Sequence, residues 1–296
     1  MNRLKIEHTT VYNYTQPVEF GIHRLVLRPR EGHDLQVEEL DLAIEPVADV
    51  TWHRDLFGNS IAFARFRESA GILKIHNTVI INRRDHISTE DLLQTVSTRL
   101  PIAYSTIEDP VARGYLTPVY PEETRELSRW ANEQFSPSPG AGVVSLLAAV
   151  NDWIFQNIHY RRREDRGVQS PLQTLKSASG SCRDMATLFL EIVRVFDIAS
   201  RFASGYLDSA ASAAGRASTH AWVEAYYPDH GWYGYDPTLG ERTSLKHIVT
   251  GVSSHPRGVM PVSGSYQGPP GSYSGMTVSV QIQKLPSSPS AKNVTQ

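Results

Sequence analysis

Ala178-Ser179-Gly180-Ser181-Cys182-Arg183-Asp184-Met185-Ala186-Thr187-Leu188-Phe189-Leu190 contains the single cysteine of a 296-residue chain. Met185, Leu188, Phe189, Ile192, Val193 and Phe196 recur at helical spacing, so the pattern predicts a helix from about 182 to 196. Ser181 is a good N-cap and sets the thiol in the first turn. There the unpaired amides and the positive end of the helix dipole favour a thiolate, the nucleophilic form. The competing reading of Cys182 is a small buried core residue.

Residues 219–236 are the second informative stretch: Thr-His-Ala-Trp-Val-Glu-Ala-Tyr-Tyr, a Pro-Asp-His-Gly turn, then Trp-Tyr-Gly-Tyr-Asp. Composition and turn chemistry predict a β-hairpin. Ala221, Val223 and Ala225 share one face, and His220, Trp222 and Glu224 share the other. A turn centred on Asp229 sets Trp222 opposite Asp236 and His220 diagonally from it, within reach of an imidazole and a carboxylate. A turn centred between Asp229 and His230 would split that pair across the sheet, so a three- or five-residue loop is required.

Around these stretches, residues 2–85 alternate with the period of strands, through Leu4/Ile6, Leu25/Leu27, Leu42/Ile44, Phe63/Ala65 and Ile75/Val79/Ile81. Asp55-Leu56-Phe57-Gly58-Asn59-Ser60 reads as a hairpin turn. The expected domains are a β-rich domain over 1–95, an antiparallel sandwich, then a partly helical connector over 96–142. A core follows over 143–285 with a closing strand (Met276/Val278/Val280/Ile282), and then a disordered tail over 286–296. Pro121 opens a helix carrying Leu127, Trp130, Ala131 and Phe135, a second helix starts near Val143, and 201–207 reads as a strand. The small, polar segment 208–218 reads as a mobile loop and a candidate gate. His8, His23 and His53 fall on separate strands as ordinary half-buried histidines.

A net charge of −2 argues against a nucleic-acid surface, and Arg161-Arg162-Arg163 is followed at once by Glu164 and Asp165. One cysteine excludes an internal disulfide framework and a cysteine-rich zinc site. No stretch approaches 18 apolar residues, and the N-terminus lacks an apolar leader core, so the expected location is cytoplasmic, with no membrane partner. Nothing in the pattern specifies an oligomer.

Cys182, His220 and Asp236 together supply a nucleophile, a proton carrier and a group that orients it. Here the sequence resembles the bacterial transglutaminase-like superfamily. Gly180-Ser181-Cys182-Arg183-Asp184-Met185-Ala186 is similar to its nucleophile motif, and Ser204-Gly205-Tyr206 to the strand after it. His220-Ala221-Trp222-Val223-Glu224 and Gly231-Trp232 through Asp236-Pro237-Thr238 are similar to its histidine and aspartate motifs. Tyr12-Asn13-Tyr14, His23-Arg24-Leu25, Arg28-Pro29-Arg30 and Phe57-Gly58-Asn59 resemble the β-domain that precedes this core in bacterial cysteine-protease-like members. The resemblance implies an α+β chain, in which the sandwich precedes a papain-like core whose nucleophile heads a helix packed on an antiparallel sheet. It implies Cys182, His220 and Asp236 as the triad, with no metal or organic cofactor.

At the oxyanion site the pattern departs from relatives that use an upstream tryptophan, because the nearest here, Trp153, lies inside a predicted helix. The Cys182 backbone N–H is one donor, and Tyr160, Gln169 and Gln173 are candidates for the second. Trp222 and Gly205 are candidate substrate contacts, and Asp184 is assigned a structural role at the helix start. The expected reaction is hydrolysis of a peptide or isopeptide bond in a peptide or protein substrate. The alternatives are transfer of the acyl group to a lysine amine, or a catalytically idle peptide-binding scaffold. No calcium-loop run is present, nor the Arg-Gly-Gly-x-Cys setting of arylamine acetyltransferases.

Overall fold

The computed structural model describes residues 2–84, 98–163, 167–215, 217, 219–228 and 230–286. The chain forms two compact units. Most of the expected tail, 287–296, lies outside the described residues, as do 96–97 of the expected connector.

The first unit comprises Met1–Ile87, Leu207–Thr219 and Val262–Gln296. Its strands begin with β1 (Asn2–Phe20), β2 (His23–Leu25), β3 (Leu35–Glu45), β4 (Ala48–Arg54), β5 (Ser60–Phe66) and β6 (Ala70–Arg83). One antiparallel sheet runs β1-β6-β3, with Tyr273–Leu285 pairing the other edge of β1 and Tyr266–Gln267 at its end. The second sheet runs β2-β5-β4 with Val262–Ser263 beside β2. Along β6, Leu73, Ile75, Val79 and Ile81 are buried at every second position, the period a half-buried strand requires. Val18, Phe20, Leu73 and Ile75 from one sheet meet Leu25 and Ala62 from the other, so the unit is the expected sandwich. In the β4–β5 hairpin, Asp55 Oδ1 accepts the amides of Phe57 and Asn59, and Gly58 takes φ +74°. His8, His23 and His53 each bond within their own strand region, to Thr10, the Gly21 carbonyl and Thr51.

Two expectations are corrected in this unit. The closing strand pairs β1 from Arg3↔Leu285 to Tyr14↔Tyr273, so it completes the N-terminal unit rather than the core. The segment 208–218 is folded wherever it is described. Ala210–Ala213 form a helical turn capped by Ser209 and Ser212, Ser212 is buried, and Ala217 bridges Val280. Residues 216 and 218 lie outside the described residues.

The second unit comprises Ser88–Tyr206 and His220–Pro261. It contains α1 (Asp109–Leu116), α2 (Thr124–Phe135), α3 (Val143–Asn157), α4 (Pro171–Ser177) and α5 (Cys182–Val195). Its strands are β7 (His159–Tyr160), β8 (Ser179–Gly180), β9 (Ser200–Leu207), β10 (His220–Tyr227), β11 (Gly231–Asp236), β12 (Glu241–Arg242) and β13 (His247–Ser253). Five of these strands form a sheet in the order β12-β11-β10-β9-β13. The expected connector belongs to this core: Arg99 bridges Gly142, and Leu127 and Ala131 of α2 join its central apolar cluster.

Helix α5 is the hub of the second unit. Residues from Asp184 to Arg194 are buried throughout, wrapped by α2, α3 and α4 and packed on β10, whose Ala221, Val223 and Ala225 face the cluster. A helix enclosed on every side needs partners for each polar group it carries. Thr187 donates to the Arg183 carbonyl. Arg194 donates to Glu191 and to the carbonyls of Thr117, Ser200 and Ser254, while Glu191 accepts the amides of Val119 and Tyr120.

Candidate active site

The site begins at the head of α5. Ser181 is extended (φ −80°, ψ 173°), and Cys182 is the first helical residue, so its N–H has no partner within the helix. Asp184 closes this helix start. Its Oδ2 accepts the Ser181 amide and hydroxyl at 2.8 Å each, and its Oδ1 accepts the Gln169 amide at 2.8 Å. The Arg163 guanidinium lies 3.3 Å away and offsets the buried charge. Asp184 is therefore structural, as its position suggests. Gly180 is required here, because a Cβ would meet the Asp184 Cβ at 2.8 Å and Gln169 Oε1 at 3.3 Å.

The hairpin supplies the other two residues. Val223↔Tyr235 and Tyr227↔Gly231 fix a three-residue connection, the register that keeps His220 and Asp236 on one face. Asp229 itself lies outside the described residues. His220 Nε2 lies 2.7 Å from Asp236 Oδ2, and the same imidazole hydrogen-bonds Cys182, which leaves Nδ1 for the sulfur. Burial alone would lower the His220 pKa. Hydrogen bonds to Asp236 and Cys182 and the charges of both outweigh it, and the pKa is pushed up to about 10. Burial likewise opposes ionisation of Asp236, yet hydrogen bonds from His220 and His247, together with the His220 charge, hold its carboxyl well below the usual range.

His247, at the start of β13, was not among the expected site residues. Its Nε2 lies 3.0 Å from Asp236 Oδ2, while its Nδ1 accepts the Ser244 amide at 3.1 Å. Thr238 N–H donates to Asp236 Oδ1 at 2.9 Å. In sequence only a histidine heading the alternating run His247-Ile248-Val249-Thr250-Gly251-Val252 pointed to it. The donor atoms of His220, Asp236 and His247 lie within 4.8 Å of one another, near enough together for a cation. The chemistry opposes that use: a backbone N–H can only donate, so the His247 proton is on Nε2 and that nitrogen has no lone pair to give.

The remaining expected residues divide. Parallel pairing of β7 with β8 sets Tyr160 beside Gly180, and burial and then the Cys182 charge raise its phenol pKa. Gln169 sits against Gly180 through its side-chain amide, and its backbone is bonded to Asp184. Gln173 is exposed on α4, where its backbone N–H donates to the Ser170 cap. Trp153 packs edge-on against Trp130 within the apolar cluster.

Two substrate-contact expectations are corrected. Trp222 is 0% exposed, edge-on to the His247 ring at 5.1 Å, and acts as a wall behind the histidines. Gly205 is buried where a Cβ would fall 2.0 Å from the Ile248 carbonyl oxygen and 2.9 Å from Trp222. It permits close packing of backbone rather than contact with a ligand.

Comparison with known proteins gives the same outline. Residues 4–82 match the bacterial transglutaminase-like N-terminal region, and residues 118–237, which contain Cys182, His220 and Asp236, match the transglutaminase-like superfamily. An uncharacterised protein of Mycobacterium leprae is 25% identical over 275 residues, 90% of this chain and 94% of that one. An uncharacterised protein of Mycobacterium tuberculosis is 25% identical over 289 residues, 89% of this chain and 87% of that one. A solved structure of a candidate cysteine protease from Cytophaga hutchinsonii superposes with a TM-score of 0.74 at 18% identity, over 97% of this chain and 92% of that one, and shares the fold. Residues 118–237 thus form a transglutaminase-like superfamily core, preceded over residues 4–82 by a bacterial transglutaminase-like N-terminal region.

Proposed function

We propose that the chain hydrolyses a peptide or isopeptide bond through Cys182, His220 and Asp236. The supporting observation is the single imidazole bonded on one side to a buried carboxylate at 2.7 Å and on the other to a cysteine at a helix head. Cys182 Sγ attacks the substrate carbonyl carbon while the oxygen takes up negative charge against the Cys182 N–H. Gln169 is our choice for the second donor, since the end of its side chain lies against Gly180, two residues before Cys182, whereas Tyr160 is 54% exposed and reads as a wall of the cleft. The His220 imidazolium gives its proton to the leaving amine. It then takes one from the incoming water, which cleaves the thioester and releases the Cys182 thiolate beside the restored imidazolium. Asp236 keeps the imidazole in the useful orientation throughout.

Water as the acyl acceptor follows the likeness to the Cytophaga candidate protease. Incubation with a peptide library, with and without an added primary amine and with Cys182→Ala as control, reads the outcome by mass. Hydrolysis predicts Cys182-dependent cleavage products carrying one water. Dominant amine adducts would reassign the chain to amine transfer. A library left intact, together with Cys182 alkylation indifferent to His220→Ala, would leave only a binding scaffold.

A further inference from the structure

We propose that His247 is a positioning residue of this site: its neutral imidazole, oriented by the Ser244 amide, donates to Asp236 and limits how firmly Asp236 holds the His220 proton. The inference rests on the triad reading above and adds a fourth member to it. Three donors converge on Asp236, with Thr238 N–H on Oδ1 and the Nε2 atoms of both histidines on Oδ2. The Thr238 and His220 bonds engage different oxygens, so these two alone fix the plane of the carboxylate. The His247 bond is therefore not needed for orientation. What it supplies is a third share in the carboxylate charge, in an interior where such a bond is stronger than in water.

The direction follows. A carboxylate with all its charge on His220 would hold the imidazolium too tightly for it to protonate a leaving amine. A neutral donor on the same oxygen weakens that grip. His220 faces Cys182 from α5, Asp236 from β11, His247 from β13 (ring centroids 6.3 Å apart) and Trp222 from its own strand. The Ser244 amide makes His247 dependable in this role. A backbone N–H on Nδ1 keeps the proton on Nε2, so the ring cannot turn into an acceptor facing the carboxylate.

The test uses the full chain labelled with ¹⁵N-histidine and titrated by NMR from pH 5 to 11, beside the pH dependence of Cys182 alkylation by iodoacetamide. His247→Leu removes the donor, and His247→Gln retains an N–H at similar reach. The leucine variant is expected to raise the His220 midpoint by about half to one unit and to move the upper step of alkylation with it. The glutamine variant should restore both. A structural role alone would lower stability in both variants without moving His220. An unchanged midpoint in His247→Leu, or a glutamine variant that behaves like leucine, overturns the inference. Should the leucine variant not fold, the wild type decides: a His247 ring protonated on Nδ1 overturns the proposal, and an Nε2–H ring, with the glutamine variant titrating as wild type, supports it. His220→Ala is the separate control, because alkylation that ignores His220 defeats the triad reading itself rather than the role of His247.

Discussion

Asp236→Asn changes one charge at nearly constant shape, and the structure sets what it should cost. The raised His220 pKa, from 6.5 to about 10, corresponds to roughly 5 kcal/mol of preference for the imidazolium, shared between Asp236 and Cys182. Asparagine forfeits the Asp236 share and adds a steric-chemical conflict. Its NH₂ must face either Thr238 N–H or the two imidazole N–H groups, since His247 cannot move its proton. One buried donor left against another costs about 1–3 kcal/mol. We expect His220 to titrate well below 10 and stability at pH 7 to fall by about 2–4 kcal/mol. Turnover should drop severely; the same change in a Ser–His–Asp triad costs about 10⁴.

Urea unfolding as a function of pH reads the electrostatic part. In the wild type the folded state retains a proton that the unfolded chain loses above pH 6.5. The stabilisation is thus complete below 6.5 and is lost as pH rises toward about 10, by up to roughly 1.4 kcal/mol per unit. Asp236, whose pKa is lowered, acts in the opposite sense: its contribution is present above the ordinary carboxylate range and is lost as pH falls through and below it. The asparagine variant keeps only the Cys182 share, so its profile between pH 7 and 10 should be shallower than that of the wild type and level off at lower pH. Equal slopes for variant and wild type over that interval would refute the assignment of His220 and Asp236 as a charged pair.

Gly205→Ala should lower stability by about 3 kcal/mol or more in a thermal or urea melt, because its methyl group would overlap the Ile248 carbonyl and the Trp222 ring. Asp184→Ala strands the Ser181 and Gln169 amides at the helix head, with an expected loss of about 2–4 kcal/mol and slower Cys182 alkylation at pH 7. Gln169→Ala should unfold like the wild type while turnover of a cleaved library peptide falls about 10²–10³-fold, the usual effect of removing one oxyanion donor; unchanged turnover would shift that role to Tyr160.

The parts of the site that were legible in sequence are those whose geometry is local. The helix from Cys182 follows from apolar spacing and a serine cap, and the His220–Asp236 pairing follows from alternation plus a three-residue turn. His247 escaped because its role comes from two bonds, to Asp236 and to the Ser244 amide, that leave no periodic trace. Alternation sets Trp222 on the same face of β10 as His220. Alternation cannot reveal that His247 and the side-chain-free Gly205 close over it. The strand Tyr273–Leu285 shows the same limit. Its pattern says that one face is buried, but either unit could have supplied the burial until pairing with β1 settled it.

Because Asp236 is bonded to two histidines, and one of them to the nucleophile, protonation in this group is a property of the cluster rather than of any single residue. A shift in one limb of a pH profile therefore does not by itself identify the group that moved. His247 breaks that degeneracy: its tautomer is set from outside the cluster by a backbone amide, so it acts on Asp236 through a single donated hydrogen bond. Changing it perturbs the couple through one known contact, whereas changing Cys182, His220 or Asp236 removes a member of the couple and alters every apparent midpoint together.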